Sequence, residues 1–406
     1  MRGLTVTEVS RGVEGAYCAR LLADAGAQVI KIETPDGDDF TRRAGPFPNG
    51  EPDANASGLF HYLNAGKQAV SLNLDAGAGR EIFKKLLLTT DILITDSFPS
   101  ELDGIGLGHA RRLELNNKLI DCVITPFGLT GPYHDMRGDD IVILSLGGMT
   151  GATPRFPDYV VSREKERPLR AEGYAAAIIS GAAAAASILT ALFARMMDGK
   201  GRQIDLSQME AVASTMIRDV ASYSYAGIVS GRRTEEEQSG TAYAPNIYLP
   251  CKDGMVVLVT ASEEAWKRFV EIMGSPAWAK SPEFKDTAAR ATNINSLVPK
   301  LIEWTSTQTG AEITEITQSN GLPCAHVLRI PELVDSQHVK ERNALIDIAV
   351  GNRPARMPGP PFRIDGVFGN APGPVPNKGE HNLPILRDLL KYTDAEIAEL
   401  RAVGAI

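Results

Sequence analysis

Basic charge is in short supply in this 406-residue chain: 42 Lys and Arg stand against 50 Asp and Glu, for a net charge of −8. Nucleic-acid binding leaves a basic footprint, and none is visible. Cysteine is equally sparse. The four residues at 18, 122, 251 and 324 form no CxxC pair and no clustered metal motif along the chain, so free thiols in a reducing, cytoplasmic setting are expected. The N-terminal residues turn polar too early for a signal peptide. A dinucleotide fingerprint is also missing. Arg11-Gly-Val-Glu-Gly15 has the wrong spacing, and Gly104-Ile-Gly-Leu-Gly108 follows Asp103 rather than a strand, so it reads as a tight turn. There is one long apolar stretch, Tyr174 to Ala194, but it is rich in alanine, carries Ser180, Gly181, Ser187 and Thr190, and is followed directly by Arg195. It is expected to be a buried helix rather than a membrane span.

What is present points to a globular α/β chain with material for more than one domain. Hydrophobic residues make up 43% and charged residues 23% of the chain, enough apolar surface for large cores and too little charge for disorder. Strand-like runs at Leu4–Val9, Gln28–Glu33, Ala69–Leu74, Asp91–Thr95 and Leu119–Ile124 alternate with helical ones at Ala16–Ala25 and Ala76–Leu88. Such alternation predicts a parallel, Rossmann-like sheet. The alanine-rich helix is expected over 172–197. A strand, a Lys252-Asp-Gly254 turn, a second strand and a helix through Trp266 and Phe269 open a smaller α/β unit. The expected division is a large domain of residues 1–215 completed by 331–406, and a small domain of residues 216–330. Gly231–Gln238 reads as a solvated loop, the Pro/Gly-rich stretch 353–376 as extended chain, and Thr393-Asp394 as a helix start.

Several segments, in order, carry a family resemblance. They are Ala23-Asp-Ala-Gly-Ala-Gln-Val-Ile-Lys-Ile-Glu33, Asn64-Ala-Gly-Lys-Gln-Ala-Val-Ser-Leu-Asn-Leu74, Phe127-Gly-Leu-Thr-Gly-Pro-Tyr133 with Asp140, Arg170 through Gly181, Gly199 through Ser207, Lys252-Asp-Gly254, Pro360-Pro-Phe362 and Gly379-Glu-His381. Together they resemble the family III CoA-transferases. The resemblance implies a large CoA-binding Rossmann-like domain, a small α/β domain and a C-terminal return to the first. It also implies an interlocked, ring-like dimer that takes coenzyme A or acyl-CoA as substrate, with no covalently bound cofactor and no metal. By position in the family pattern, Leu72, Asn73, Ser97, Phe98, Thr125, Phe127 and Gly128 are the candidate CoA contacts.

The departures from that pattern bear on function. In the family, an aspartate four residues before the helix glycine attacks the acyl-CoA thioester. Here that position is Ala177, four before Gly181, so no catalytic residue is assigned. Glu172 reads as a helix-start carboxylate and Ser180 as a packing or cap residue. The racemase branch places a histidine before the aspartate of its central motif, and Asp139 stands there, before Asp140. His381 reads as structural or dimer-contacting. Val13, Thr34 and Phe98-Pro-Ser100 replace polar or basic residues common in the family, while Lys31 and Lys67 read as solvated strand-end charges. The resemblance then implies a non-catalytic subunit, paired with a paralogue that carries the aspartate as a heterodimer or heterotetramer, and no nucleic-acid or membrane partner. A homomeric transferase with alanine exchanged for its aspartate, and an acyl-CoA-binding pseudoenzyme, remain as alternatives.

Overall fold

The computed structural model describes every residue except 38, 49, 154–169, 229–245, 261, 351–352, 366 and 369–372, so the expected loop at Gly231–Gln238 lies outside the described residues. Among those described, two compact units form, one from Met1–Thr150, Arg170–Ile217 and Glu341–Ile406, the other around Arg218–Lys340.

The first unit is built on six parallel strands: β1 Thr5–Val9, β2 Gln28–Glu33, β3 Gln68–Ser71, β4 Ile92–Thr95, β5 Ile120–Thr125 and β6 Arg202–Ser207. Their order is β3-β2-β1-β4-β5-β6, the doubly wound arrangement in which the chain reverses direction across the sheet between β1 and β4. Apolar runs such as Ile92-Leu-Ile94 are buried on both faces, as parallel strands must be. One face is covered by α1 (Val13–Asp24) and the alanine-rich helix, where Cys18, Leu22, Ala184 and Ile188 pack on Val6, Ile94 and Cys122. The other is covered by α2 (Gly77–Leu87), with Phe83 and Leu86 on Ile30, Val70 and Leu93. The α/β expectation and the parallel sheet are both present.

After α3 (Asp140–Leu146), the alanine-rich helix α4 runs from Ala175 to Asp198, followed by β6 and α5 (Gln208–Thr215). By length and composition α4 could cross a membrane, yet its small residues pack against α1 instead. A Cβ on Gly181 would lie 2.6 Å from the Glu14 carbonyl oxygen, so the two backbones meet there. The helix is not buried all round, as its sequence led one to expect. Leu189, Phe193, Met196 and Met197, all in its last half, are 50%, 67%, 81% and 77% exposed.

The second unit holds α6 (Ile217–Ala226), most of which lies in it, and an antiparallel sheet of β7 (Asn246–Cys251), β8 (Gly254–Val259) and β9 (Ala325–His326). Helices α7 (Glu263–Ile272), α8 (Ile294–Thr305) and α9 (Gly310–Ser319) complete a core around Trp266, Phe269, Leu297 and Ile313. The stretch that begins at Glu341 rejoins the first unit. It includes a hairpin, β10 (Leu345–Val350) with β11 (Arg353–Pro358), and the capped final helix α10 (Asp394–Ala402), which opens at Thr393 as expected. The returning chain also satisfies the free edge of β3. Ala69 donates its N–H to His381 Nδ1 at 3.2 Å, His381 donates its own to the Ala69 carbonyl at 2.9 Å, and Ser71 donates to Asn382 Oδ1 at 2.8 Å.

Candidate functional site

Helix α4 starts three residues later than its composition suggests. Gly173 and Tyr174 have φ of 78° and 59°, left-handed values that a helix cannot continue from. Glu172 therefore lies outside the helix and is exposed, and Tyr174 provides no side-chain cap. The first N–H groups of α4 still need acceptors. Asp140, from the start of α3, supplies them: its Oδ1 accepts from Ala176 N at 2.9 Å and Ala177 N at 3.3 Å. Among the described residues, its buried Oδ2 has no hydrogen-bond partner. Asp139 instead caps its own helix, accepting from Val142 N at 3.3 Å. The Ala177 methyl is 6% exposed and packs with Val13, Ala16 and Leu63. Ser180 is buried and bonds back to the Ala176 carbonyl.

Two acids missed in the sequence surround this helix start. Glu14, in the first turn of α1, accepts from Gln208 Nε2 at 3.3 Å. Removal from water, then the nearby charges of Asp96 and Asp140, push its carboxyl up to about 7. Asp96 accepts from Gly12 N at 2.7 Å and Arg11 N at 2.8 Å. Desolvation outweighs those bonds and raises it to about 6. Asp140 is raised as well, chiefly by burial. Glu14 and Asp96, raised to about 7 and about 6, can accept or donate protons near neutrality. None of these acids replaces a nucleophile projecting from position 177. No local pattern marks Glu14 or Asp96, because they gain their character from elements far apart in the chain.

A cleft opens at the carboxyl ends of the strands, beside the crossover between β1 and β4. Its walls include Ser10, Arg11, Glu33, Asp39, Leu72, Asp75, Ser97 and Glu101. The lining mixes apolar side chains such as Ile32, Leu72 and Leu102 with carboxylates; of these, Glu33 is held by Arg42 at 2.5 Å, and Asp39 by Lys31 at 2.9 Å. The Arg11 guanidinium, also on the lining, lies 3.7 Å from Glu101. Lys31 and Lys67 are not solvated strand-end charges. Both are buried and share Glu8, at 2.8 and 2.6 Å: Glu8 lies on β1, Lys31 on the adjacent β2, and Lys67 just before β3, on the same side of β1. They are thus unavailable to a phosphate.

Of the seven candidate contacts, Leu72 and Ser97 line this cleft. Asn73 is turned to the C-terminus, its N–H donating to the Ala405 carbonyl at 2.9 Å. Phe98 precedes a short helix, Pro99–Gly104. Thr125 Oγ1 accepts from Gly128 N at 2.9 Å, shaping the turn after β5 in which Gly128 takes φ 87°. Phe127 packs with Ala176 and stands edge-on to Tyr133, with ring centres 5.7 Å apart. Phe127 thus belongs to the start of α4, and Thr125 and Gly128 to the turn after β5, where Gly128 faces Asp205 and Ser207 of β6.

The family model described as CoA-transferase family III matches residues 1–382. Succinate–glutarate CoA-transferase from Agrobacterium fabrum is 27% identical over 96% of this chain and 95% of its own length. The BbsE subunit of succinyl-CoA:(R)-benzylsuccinate CoA-transferase from Thauera aromatica is 28% identical over 97% and 95%. A solved CAIB/BAIF family protein from Brucella suis superposes with a TM-score of 0.81 at 27% identity, covering 96% of this chain and 98% of that one.

Proposed function

From the premise that the chain belongs to CoA-transferase family III, we propose that it is the non-catalytic subunit of a heteromeric, cytoplasmic CoA-transferase. The observation that carries this reading is Ala177. A methyl group sits in an apolar nest of Val13, Ala16 and Leu63 at the start of α4, and the N–H groups there are already taken by Asp140. Covalent transfer needs a carboxylate that attacks the thioester carbonyl and displaces CoA thiolate. That carboxylate would be an aspartate of a paralogous partner chain, in a heterodimer or heterotetramer of the interlocked kind.

Two further observations support the assignment. Basic groups at the strand-end cleft are already engaged by carboxylates, Arg42 by Glu33, Lys31 by Glu8 and Asp39, and Arg11 by Glu101, which weakens their pull on the phosphates of CoA, so the working CoA site would be the partner's. The exposed apolar stripe of α4, Leu189 to Met197, is the kind of surface that marks a subunit interface. The relation to the BbsE subunit suggests succinyl-CoA as donor and (R)-2-benzylsuccinate, formed in anaerobic toluene degradation, as acceptor.

The test is thioester exchange followed by mass spectrometry, with this chain alone and together with an aspartate-bearing paralogue. Alone it should show no turnover and no covalent CoA adduct; together they should convert succinyl-CoA and benzylsuccinate. Turnover by the lone chain would overturn the proposal. The competing reading is a homomeric enzyme that differs from an active one only at this position. It requires Ala177→Asp to confer activity on the lone chain. We expect that variant to remain inactive, since the cleft and the nest around position 177 do not suit an acyl-CoA site.

A further inference from the structure

The smaller unit brings together three side chains that the sequence keeps apart. Cys251 ends β7, Asp253 sits in the turn to β8, and His326 lies on β9. One donor atom from each lies within 4.8 Å of the other two. The elements that carry them are fixed by backbone contacts. Asp253 Oδ1 accepts from Gly310 N at 2.8 Å, Lys252 N donates to the Gln308 carbonyl at 2.9 Å, and His326 N donates to Thr314 Oγ1 at 2.8 Å.

The imidazole of His326 occupies a slot between two glycines. A Cβ on Gly310 would lie 2.2 Å from its Cδ2, and one on Gly254 would lie 3.0 Å from its Nε2. Only glycine at position 310 leaves room for the ring in this place. Among the described residues, the ring nitrogens make no hydrogen bond, so the imidazole is packed into position without a polar partner there. Asp253 is exposed and keeps its second oxygen free of the Gly310 bond, and Cys251 and His326 are half-buried.

The geometry points to a divalent transition-metal site formed by Cys251 Sγ, an Asp253 carboxylate oxygen and a His326 ring nitrogen, with zinc as the best-suited ion. A thiolate, an imidazole and a carboxylate are the donor set that zinc accepts, whereas calcium and magnesium require oxygen throughout. Three protein ligands with an exposed fourth position is the open type of zinc centre. Thiolate and carboxylate together would balance the dication. Donors about 2.0–2.3 Å from a tetrahedral ion lie roughly 3.3–3.8 Å apart, so side-chain rotations of about an ångström would close the set. A thiol binds the ion as thiolate, so binding would release a proton.

The experiment titrates the full chain, purified metal-free, with Co2+ and then displaces it with Zn2+. One Co2+ per chain is expected, with a near-ultraviolet thiolate-to-cobalt absorbance that Zn2+ abolishes. Cys251→Ser should lose that absorbance. Asp253→Asn, which keeps an acceptor for Gly310 N, and His326→Gln should each weaken binding by about tenfold or more. X-ray absorption of the zinc-loaded wild-type protein needs no variant, and should show one sulfur among nitrogen and oxygen neighbours. The inference is overturned if the wild-type protein gives no thiolate–cobalt band, or if the zinc shell holds no sulfur. It is also overturned if the band survives undiminished in both Asp253→Asn and His326→Gln, which would mean that the thiol binds alone.

Discussion

Glu14 keeps a proton that an ordinary glutamate would have lost, and this sets a sign for its effect on stability. Its folded value is raised from 4.5 to about 7, by desolvation first and then by Asp96 and Asp140. Folding therefore favours the protonated form. The contribution is fully present below the ordinary value and is lost as pH rises through about 7. Asp96, raised from 3.8 to about 6, acts in the same direction. Glu8 has the opposite sign. Burial alone would raise it, but Lys31 and Lys67 outweigh burial and hold it at about 2, so its contribution is present above 4.5 and is lost only as pH falls toward 2. Glu14→Gln retains a polar partner for Gln208 and removes the titration. We expect the variant to gain roughly 1–3 kcal/mol over wild type at pH 8 and to match it near pH 4.5. Urea unfolding at the two pH values decides this; an equal difference at both would mean that Glu14 titrates alike in the folded and unfolded chain.

At the scale of elements, the crossing of α1 and α4 positions everything around residue 177. It depends on the missing side chain of Gly181. In an ordinary helix interior, Gly→Ala stabilises by up to about 1 kcal/mol. Here a new Cβ would fall 2.6 Å from the Glu14 carbonyl oxygen, 3.1 Å from Tyr17 Cδ1 and 3.2 Å from Cys18 N. Two of those atoms are backbone and cannot turn aside. Gly181→Ala should destabilise by about 1–3 kcal/mol and move Glu14 relative to Asp140. A stabilised variant in chemical denaturation would show that the helices separate freely.

The same elements show what the sequence could convey. Periodicity and composition located β1 to β5, α1, α2 and the body of α4, because those signals are local. They did not locate the start of α4, since its cap is Asp140, from a separate helix, and its preceding backbone is left-handed at Tyr174. Nor did they show that Lys31 and Lys67 are buried, because their carboxylate partner Glu8 lies on another strand. Leu72 and Ser97 could be placed at one cleft from the family pattern, but Asn73 and Phe98, their immediate neighbours, point their bonds elsewhere. The absence of the nucleophile was legible in one letter; the carboxyl groups that crowd around it were not.

For the whole molecule, the outward stripe of α4 ties the proposed assembly to a measurable surface. Leu189, Phe193, Met196 and Met197 recur at helical spacing on the half of α4 that is not covered by α1. Fully burying one side chain of this size contributes about 1.5–3 kcal/mol. Phe193 is 67% exposed in the single chain, so Phe193→Glu should leave the fold of the lone chain intact. In an apolar subunit interface the same change would remove that contribution and bury an unpaired charge. Association with the partner chain should weaken by roughly a hundredfold, equivalent to about 2.7 kcal/mol, and thioester exchange should fall with the fraction of complex formed. Native mass spectrometry and sedimentation of the co-expressed chains measure the first, and exchange assays at rising protein concentration measure the second. A variant that assembles as tightly as wild type would place the interface away from this stripe. Weak assembly with full exchange at low concentration would mean that the two chains act independently.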